Sequence, residues 1–99
     1  MGLNGIETDV EHLGNLVLRL LVFRDGICVF SDTIEFFDVD VFLNPDDLKG
    51  IFQNKKPKHI YADRFEFLLL DIVPIREPPS EEWSKTVEVI LDRYEFSLP

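Results

Sequence analysis

The triplet Asp38-Val39-Asp40 is the part of the sequence most open to a chemical role. Side chains two residues apart on a strand point to the same face, roughly 6.5 to 7 Å apart, so both carboxylates would face one way. Phe36 and Phe42 lie in line with them. Aromatic area and oriented carboxylates together could bind a basic side chain of a partner protein. The competing interpretation is a solvated strand face whose phenylalanines are covered by the N-terminal segment.

The same triplet could also hold Mg²⁺ or Mn²⁺, because hard cations prefer carboxylate oxygens. Such sites usually add substrate phosphates as ligands, and no glycine-rich loop in the sequence would cradle a phosphate. We therefore expect neither a metal nor a cofactor. His12 and His59 lack a neighbouring nucleophile in any local motif, so we expect them at the surface and expect the chain not to be an enzyme.

The acidic residues are concentrated in one part of the chain. The formal net charge is −9, and residues 25–48 contain seven acids without one Lys or Arg. Such a field repels nucleic acid and anionic membranes and attracts cationic proteins. The sequence therefore predicts a partner-binding surface that combines most of these acids with two phenylalanines. Its predicted members are Asp32, Glu35, Phe36, Asp38, Asp40, Phe42, Asp46 and Asp47.

Asp71 and Cys28 have more ordinary structural explanations. Asp71 lies in an apolar run and is expected near a strand end with an arginine partner. The candidate arginines are Arg19, Arg64 and Arg76. Cys28 lies between apolar residues, so we expect it to be buried as a small hydrophobic residue. A lone cysteine excludes an intramolecular disulfide, and the sequence shows neither a signal peptide nor a membrane-spanning apolar run, so a cytoplasmic protein is expected.

The first half of the chain reads as strands that would position the acids. The apolar run Leu16 to Phe23 predicts an inner strand, and Asp25-Gly26 predicts a type I′ turn into a hairpin strand, residues 27–30. A bend or bulge is expected at Ser31-Asp32. The alternation from Thr33 to Leu43 then predicts a further strand.

The second half is predicted to hold two helices and further strands. Asn44 as N-cap predicts a short helix that ends near residues 53–54. Strands are predicted over His59 to Asp63 and over Phe65 to Ile75, the latter central in the sheet. A final helix is expected after Ser80, because five apolar residues follow a helical spacing. These are Trp83, Val87, Ile90, Leu91 and Tyr94. A strand over residues 86–96 remains the alternative.

This order of elements predicts one α+β domain over residues 1–99. The expected architecture is a small two-layer sandwich, in which two helices pack on one face of a curved sheet of four to five mostly antiparallel strands.

The charge distribution favours a non-catalytic module that neutralises or recruits a basic protein. In size, acidity and lack of catalytic motif, the chain is similar to bacterial immunity proteins and antitoxins that block cationic toxins such as nucleases. One alternative is an inhibitor that mimics nucleic acid. Another is a structural subunit that forms a homodimer through the sheet face carrying Phe36 and Phe42.

Overall fold

A computed structural model describes residues 5–35, 40–76 and 83–98, which form six strands and one helix. Four strands make an antiparallel sheet in the order β3-β2-β5-β6, and β1 pairs with β4 in a separate antiparallel ladder. The elements in chain order are β1 (Ile6–Glu7), β2 (Asn15–Arg24), β3 (Ile27–Glu35), β4 (Phe42–Leu43), α1 (Pro45–Lys55), β5 (Arg64–Arg76) and β6 (Trp83–Ser97).

The predicted α+β sandwich with two helices is wrong, because the described chain is mostly strand and the C-terminal segment is β6. Leu69 pairs with Asp92 whereas Leu70 pairs with Ile90, so Leu91 is an extra residue that forms a bulge. The bulge shifts the strand alternation by one residue. Apolar positions on either side of such a shift are spaced as on a helix, which explains the wrong prediction. The alternative prediction, a strand over residues 86–96, agrees with β6.

The β2–β3 hairpin is confirmed. Its turn residues Asp25 and Gly26 have φ angles of 52° and 78°, as a type I′ turn requires, and the glycine accepts its angle without steric cost. A bulge lies at Val29, because Val22 pairs with Phe30 while Phe23 pairs with Cys28. The bend expected at Ser31-Asp32 is therefore wrong, since β3 continues to Glu35.

The segment from Thr33 to Leu43 is not one described strand. Its first residues belong to β3 and its last two form β4, while residues 36–39 lie outside the described part of the chain. The strand predicted over His59 to Asp63 is also wrong. These residues form a loop, tied to β2 by the hydrogen bond from Asp63 N–H to Phe23 O at 3.0 Å. The central position of β5, between β2 and β6, is confirmed.

Helix α1 begins where the sequence predicts. The Asn44 side chain accepts a hydrogen bond from Asp47 N–H at 2.9 Å, and the Asp47 carboxylate accepts from Asn44 N–H at 3.1 Å, which is a capping box. Pro45 takes the first turn, where its missing N–H has no cost. Leu48 and Phe52 are the residues of this helix whose side chains are buried in the core.

The core lies between one face of the four-stranded sheet and a layer formed by α1, β1 and β4. Phe65 of β5 is its centre, with a ring stacked on Phe52 of α1 at 4.4 Å between centroids. Its other ring neighbours are Phe67 at 5.6 Å, edge-on, and Phe96 of β6 at 5.2 Å. Phe65 is fully buried, and its ring contacts connect α1 with strands β5 and β6.

Replacing Phe65 with alanine is expected to lower the free energy of unfolding by about 3–5 kcal/mol, since the cavity is enclosed by helix and sheet. Chemical denaturation with urea measures this loss. Leu13→Ala is the matched control, because Leu13 is 87% exposed and its truncation should change stability by less than about 0.5 kcal/mol. Equal losses in the two variants would show that Phe65 does not organise the core.

Candidate protein-binding site

The N-terminal segment places an acid next to an exposed phenylalanine. Glu7 of β1 lies directly across the ladder from Phe42 of β4, and Ile6 lies across from Leu43. Ile6 is fully buried and Leu43 packs against the core, so strand alternation turns Glu7 and Phe42 outward. Phe42 is 51% exposed, which is unusual for so large an apolar side chain.

Thr8 and Val41 hold this short ladder together. Thr8 N–H donates to Val41 O at 2.9 Å, and the Thr8 hydroxyl donates to the same carbonyl at 3.0 Å. Val41 N–H in turn donates to the hydroxyl oxygen at 2.7 Å. These bonds extend the pairing by one residue beyond Glu7 and Phe42. These hydrogen bonds fix the backbone next to the exposed side chains of Glu7 and Phe42.

Two further acids flank Phe42 along the chain. Asp40 precedes it by two residues, and Asp46 lies in the first turn of α1; both are exposed. Neither forms an ion pair with any residue in the described ranges. We call Glu7, Asp40, Phe42 and Asp46 the Phe42 patch. Asp47 belongs to the predicted surface but its carboxylate is committed to the capping box.

The remaining predicted residues do not join the Phe42 patch on one surface. Asp32 and Glu35 lie on opposite faces of β3, since Asp32 pairs with buried Leu20 and Glu35 is exposed opposite Val17. Asp32 faces the helix, and its carboxylate lies 3.8 Å from Lys55 Nζ. Phe36 and Asp38 lie outside the described residues, so the paired geometry of Asp38 and Asp40 stays a prediction.

Sequence reasoning missed Glu7, which the structure brings to Phe42. Residues 1–14 show no sustained period, and Glu7 carries no local motif. Its place is decided by pairing with a strand far along the chain, a contact that local patterns do not encode. The strand that forms in this segment is the two-residue β1.

The opposite face of the sheet carries arginines that are already paired. Arg19 of β2 contacts Glu88 of β6 across the intervening strand β5. Arg19 is paired with Leu68 of β5, and Glu88 is paired with Ile72 of the same strand. Leu70 lies between these two positions on the same face, so the ion pair crosses over it. Leu70 is only 1% exposed, although the one helix in the described part of the chain packs on the other face of the sheet. The ion pair and its aliphatic stems therefore shield the open side of β5.

A second ionic network surrounds Glu66, which is almost fully buried. Arg64 NH1 lies 2.9 Å from one carboxylate oxygen and Arg93 Nε lies 2.6 Å from the other. Both arginines also contact Glu95. The hydrogen bond to Glu66 and the negative charge of that carboxylate raise the pKa of Arg93 above its ordinary value. These cations are thus committed to acids of the open sheet face.

The expectation for Asp71 is wrong, because the residue lies buried inside β5 and has no arginine partner among the described side chains. Its two carboxylate oxygens accept hydrogen bonds from the backbone N–H groups of Leu13 and Gly14, both at 2.8 Å. A side chain at Gly14 would place its Cβ 1.9 Å from Ile72 O, so the loop approaches β5 as closely as only glycine allows. Asp71 therefore fastens the loop that leads into β2.

The remaining reactive side chains are at the surface. Cys28 is exposed, so the prediction of burial is wrong; the bulge at Val29 and the edge position of β3 leave it uncovered. His12 and His59 are exposed as expected, and His12 Nδ1 lies 2.9 Å from Val10 O. A shallow hollow of about 590 Å³ is lined by His12, Asp71 and three neighbours, but both Asp71 oxygens are already bonded.

Comparisons with known proteins leave the function to be inferred from the chain itself. No protein-family model matches the chain, and neither the curated proteins nor the solved structures give a match. Within the described ranges, no group of three or more His, Cys, Asp or Glu side chains is arranged to hold a metal ion. The described residues also form no helix with the length and apolarity to cross a membrane.

Replacing Asp71 with alanine is expected to destabilise the protein, because Leu13 and Gly14 N–H would lose their acceptors. Each unsatisfied buried donor costs about 1–3 kcal/mol. Urea unfolding should show the loss, and hydrogen exchange at the amides of Leu13 and Gly14 should become faster while exchange within β2 stays slow. Asp40→Ala removes an exposed carboxylate without a described partner and should leave stability nearly unchanged. Unaltered exchange in the Asp71 variant would contradict the role of Asp71.

Proposed function

We propose that this chain is a non-catalytic protein-binding domain that neutralises or recruits a basic protein through the Phe42 patch. The observation that carries the proposal is a half-exposed phenylalanine with Glu7 directly across from it and with no described cation nearby in the ladder. Large aromatic side chains are the residues that most often anchor protein interfaces. The proposed setting is the cytoplasm, where a lone exposed cysteine such as Cys28 stays reduced.

The distribution of charge supports a cationic partner. Arg19, Arg64 and Arg93 are bound to acids on the open face of the sheet, so they do not offset the carboxylates of the patch. With a formal charge of −9 for the chain, the field around the patch attracts positive proteins over a distance of about a Debye length, roughly 8–10 Å. Association with such a partner should be fast and should slow as salt is added.

The chemistry of the patch indicates what the partner presents. An arginine guanidinium can lie over the ring of Phe42 and donate hydrogen bonds to Glu7 or Asp40, which combines cation–π attraction with charge-assisted bonds. A surface of this kind matches the cationic cleft of a nuclease toxin, and an immunity protein or antitoxin is the corresponding role. A nucleic-acid mimic needs a long row of acids, whereas here an aromatic side chain stands among them.

The test begins by identifying a basic protein that tagged wild-type chain retains from a lysate of its own cells at low salt. With that protein purified, Phe42→Ala is expected to weaken binding by about 2 kcal/mol or more, which is roughly thirtyfold. Asp40→Lys should weaken binding and reduce its salt dependence. Isothermal titration calorimetry at two salt concentrations measures both effects.

Glu11→Lys is the matched control for charge, because Glu11 is an exposed acid of the loop before β2 and the substitution changes the net charge by the same amount. Equal weakening by Glu11→Lys and Asp40→Lys would mean that net charge, and not the patch, attracts the partner. Unchanged affinity in Phe42→Ala would overturn the proposed site. Displacement of the partner by duplex DNA of unrelated sequences would point to a nucleic-acid mimic.

A further inference from the structure

The outer edge of β3 is a second surface with the chemistry of a binding site. Among the described residues, β3 is the first strand of its sheet and pairs only with β2. An edge strand presents unpaired backbone N–H and C=O groups on its outer side. From Phe30 to Glu35 the ladder to β2 is regular, which gives about 20 Å of straight edge beyond the bulge at Val29.

This edge lacks two of the features that usually protect exposed strands. Lysine and proline block edge pairing in many proteins, and β3 contains neither, although it has the bulge at Val29 and one inward-pointing acid, Asp32. Its charged residues are Asp32 and Glu35. Among the described side chains, Asp32 is paired with Lys55 at 3.8 Å, and both side chains are more than one third exposed, so a second cation can replace this contact.

The other sheet edge, β6, differs in each of these respects. Its ladder to β5 is interrupted at Leu91 and again near the start of the strand. It carries Lys85 and Arg93 together with Glu88, Asp92 and Glu95. A basic strand would therefore meet a twice-interrupted ladder and charges of both signs at β6, but a ladder that is regular from Phe30 to Glu35 and only acids at β3.

We propose that β3 binds an extended segment of the basic partner as an additional strand, with lysine or arginine side chains of that segment placed against Asp32 and Glu35. This inference rests on the proposed function and names how the partner is held. Backbone hydrogen bonds to β3 supply affinity, and the alternating side chains supply selection for positive charge. A second copy of the chain is disfavoured as the occupant, because two β3 edges bring four carboxylates together and neither strand contains a base of its own.

The probe is a synthetic valine peptide of about seven residues with two lysines three positions apart, so that one lysine can face Asp32 and the other Glu35; it is long enough to cover the regular part of β3. Its control is the same peptide methylated on every backbone nitrogen, which keeps all side chains and charges but removes the hydrogen-bond donors. Binding is followed by titration, and hydrogen exchange is measured residue by residue in the whole protein. The unmethylated peptide should slow exchange of outward amides between residues 30 and 35, and the methylated peptide should bind at least tenfold more weakly.

Charge recognition is tested with Glu35→Lys against Glu11→Lys, which are equal changes of net charge on and off the edge. The variant at Glu35 should bind the lysine–valine peptide more weakly than the control variant. Equal binding of the two peptides, or exchange in β3 that the unmethylated peptide leaves unchanged at millimolar concentration, overturns the inference. These results are independent of the Phe42→Ala measurement. If the peptide protects β3 from exchange but Phe42→Ala leaves partner affinity unchanged, the proposed patch alone is overturned. If Phe42→Ala weakens partner binding but β3 is not protected, strand addition alone is overturned.

Discussion

The packing of Phe65 against Phe52 is the interaction on which the rest of the structure depends. It fixes α1 on the central strand of the sheet, and the capping box at Asn44 then fixes where the chain enters that helix. Because β4 ends directly before the N-cap, the position of the helix also sets the position of β4. The short ladder between β1 and β4, and with it the exposure of Phe42, follows from this anchoring.

A sheet covered by helix on one face must protect the other face in a different way. Here cross-strand ion pairs do so, with Arg19 reaching Glu88 over Leu70 and with Glu66 held between two arginines. The exposed pair between Arg19 and Glu88 contributes little net stability by itself, whereas the almost fully buried Glu66 depends on its arginines. The pairs also have a spatial consequence, since they hold Arg19, Arg64 and Arg93 against acids of the open face.

The C-terminal strand shows how local patterns mislead. Thr86, Val87, Val89 and Ile90 are β-branched and favour a strand, but the extra residue Leu91 changes which face the following side chains occupy. A period of two with one inserted residue resembles a helical period over a dozen residues. Pairing with β5 decides that this segment is a strand, because β5 supplies backbone hydrogen-bonding partners along its length. The local sequence of β6 does not show that such a partner strand is present.

The sequence by itself determined the β2–β3 hairpin, the start of α1 and the central position of β5, because turn residues, caps and apolar runs act through neighbouring residues. The excess of negative charge before residue 50 is likewise legible in the sequence, with ten acids and three bases there against nine acids and seven bases after it. Which acids share a surface depends on the tertiary structure, which pairs Glu7 with Phe42 across the β1–β4 ladder. The physical reason is that strand register and cross-strand pairing join residues far apart in the chain, and no local propensity specifies those contacts.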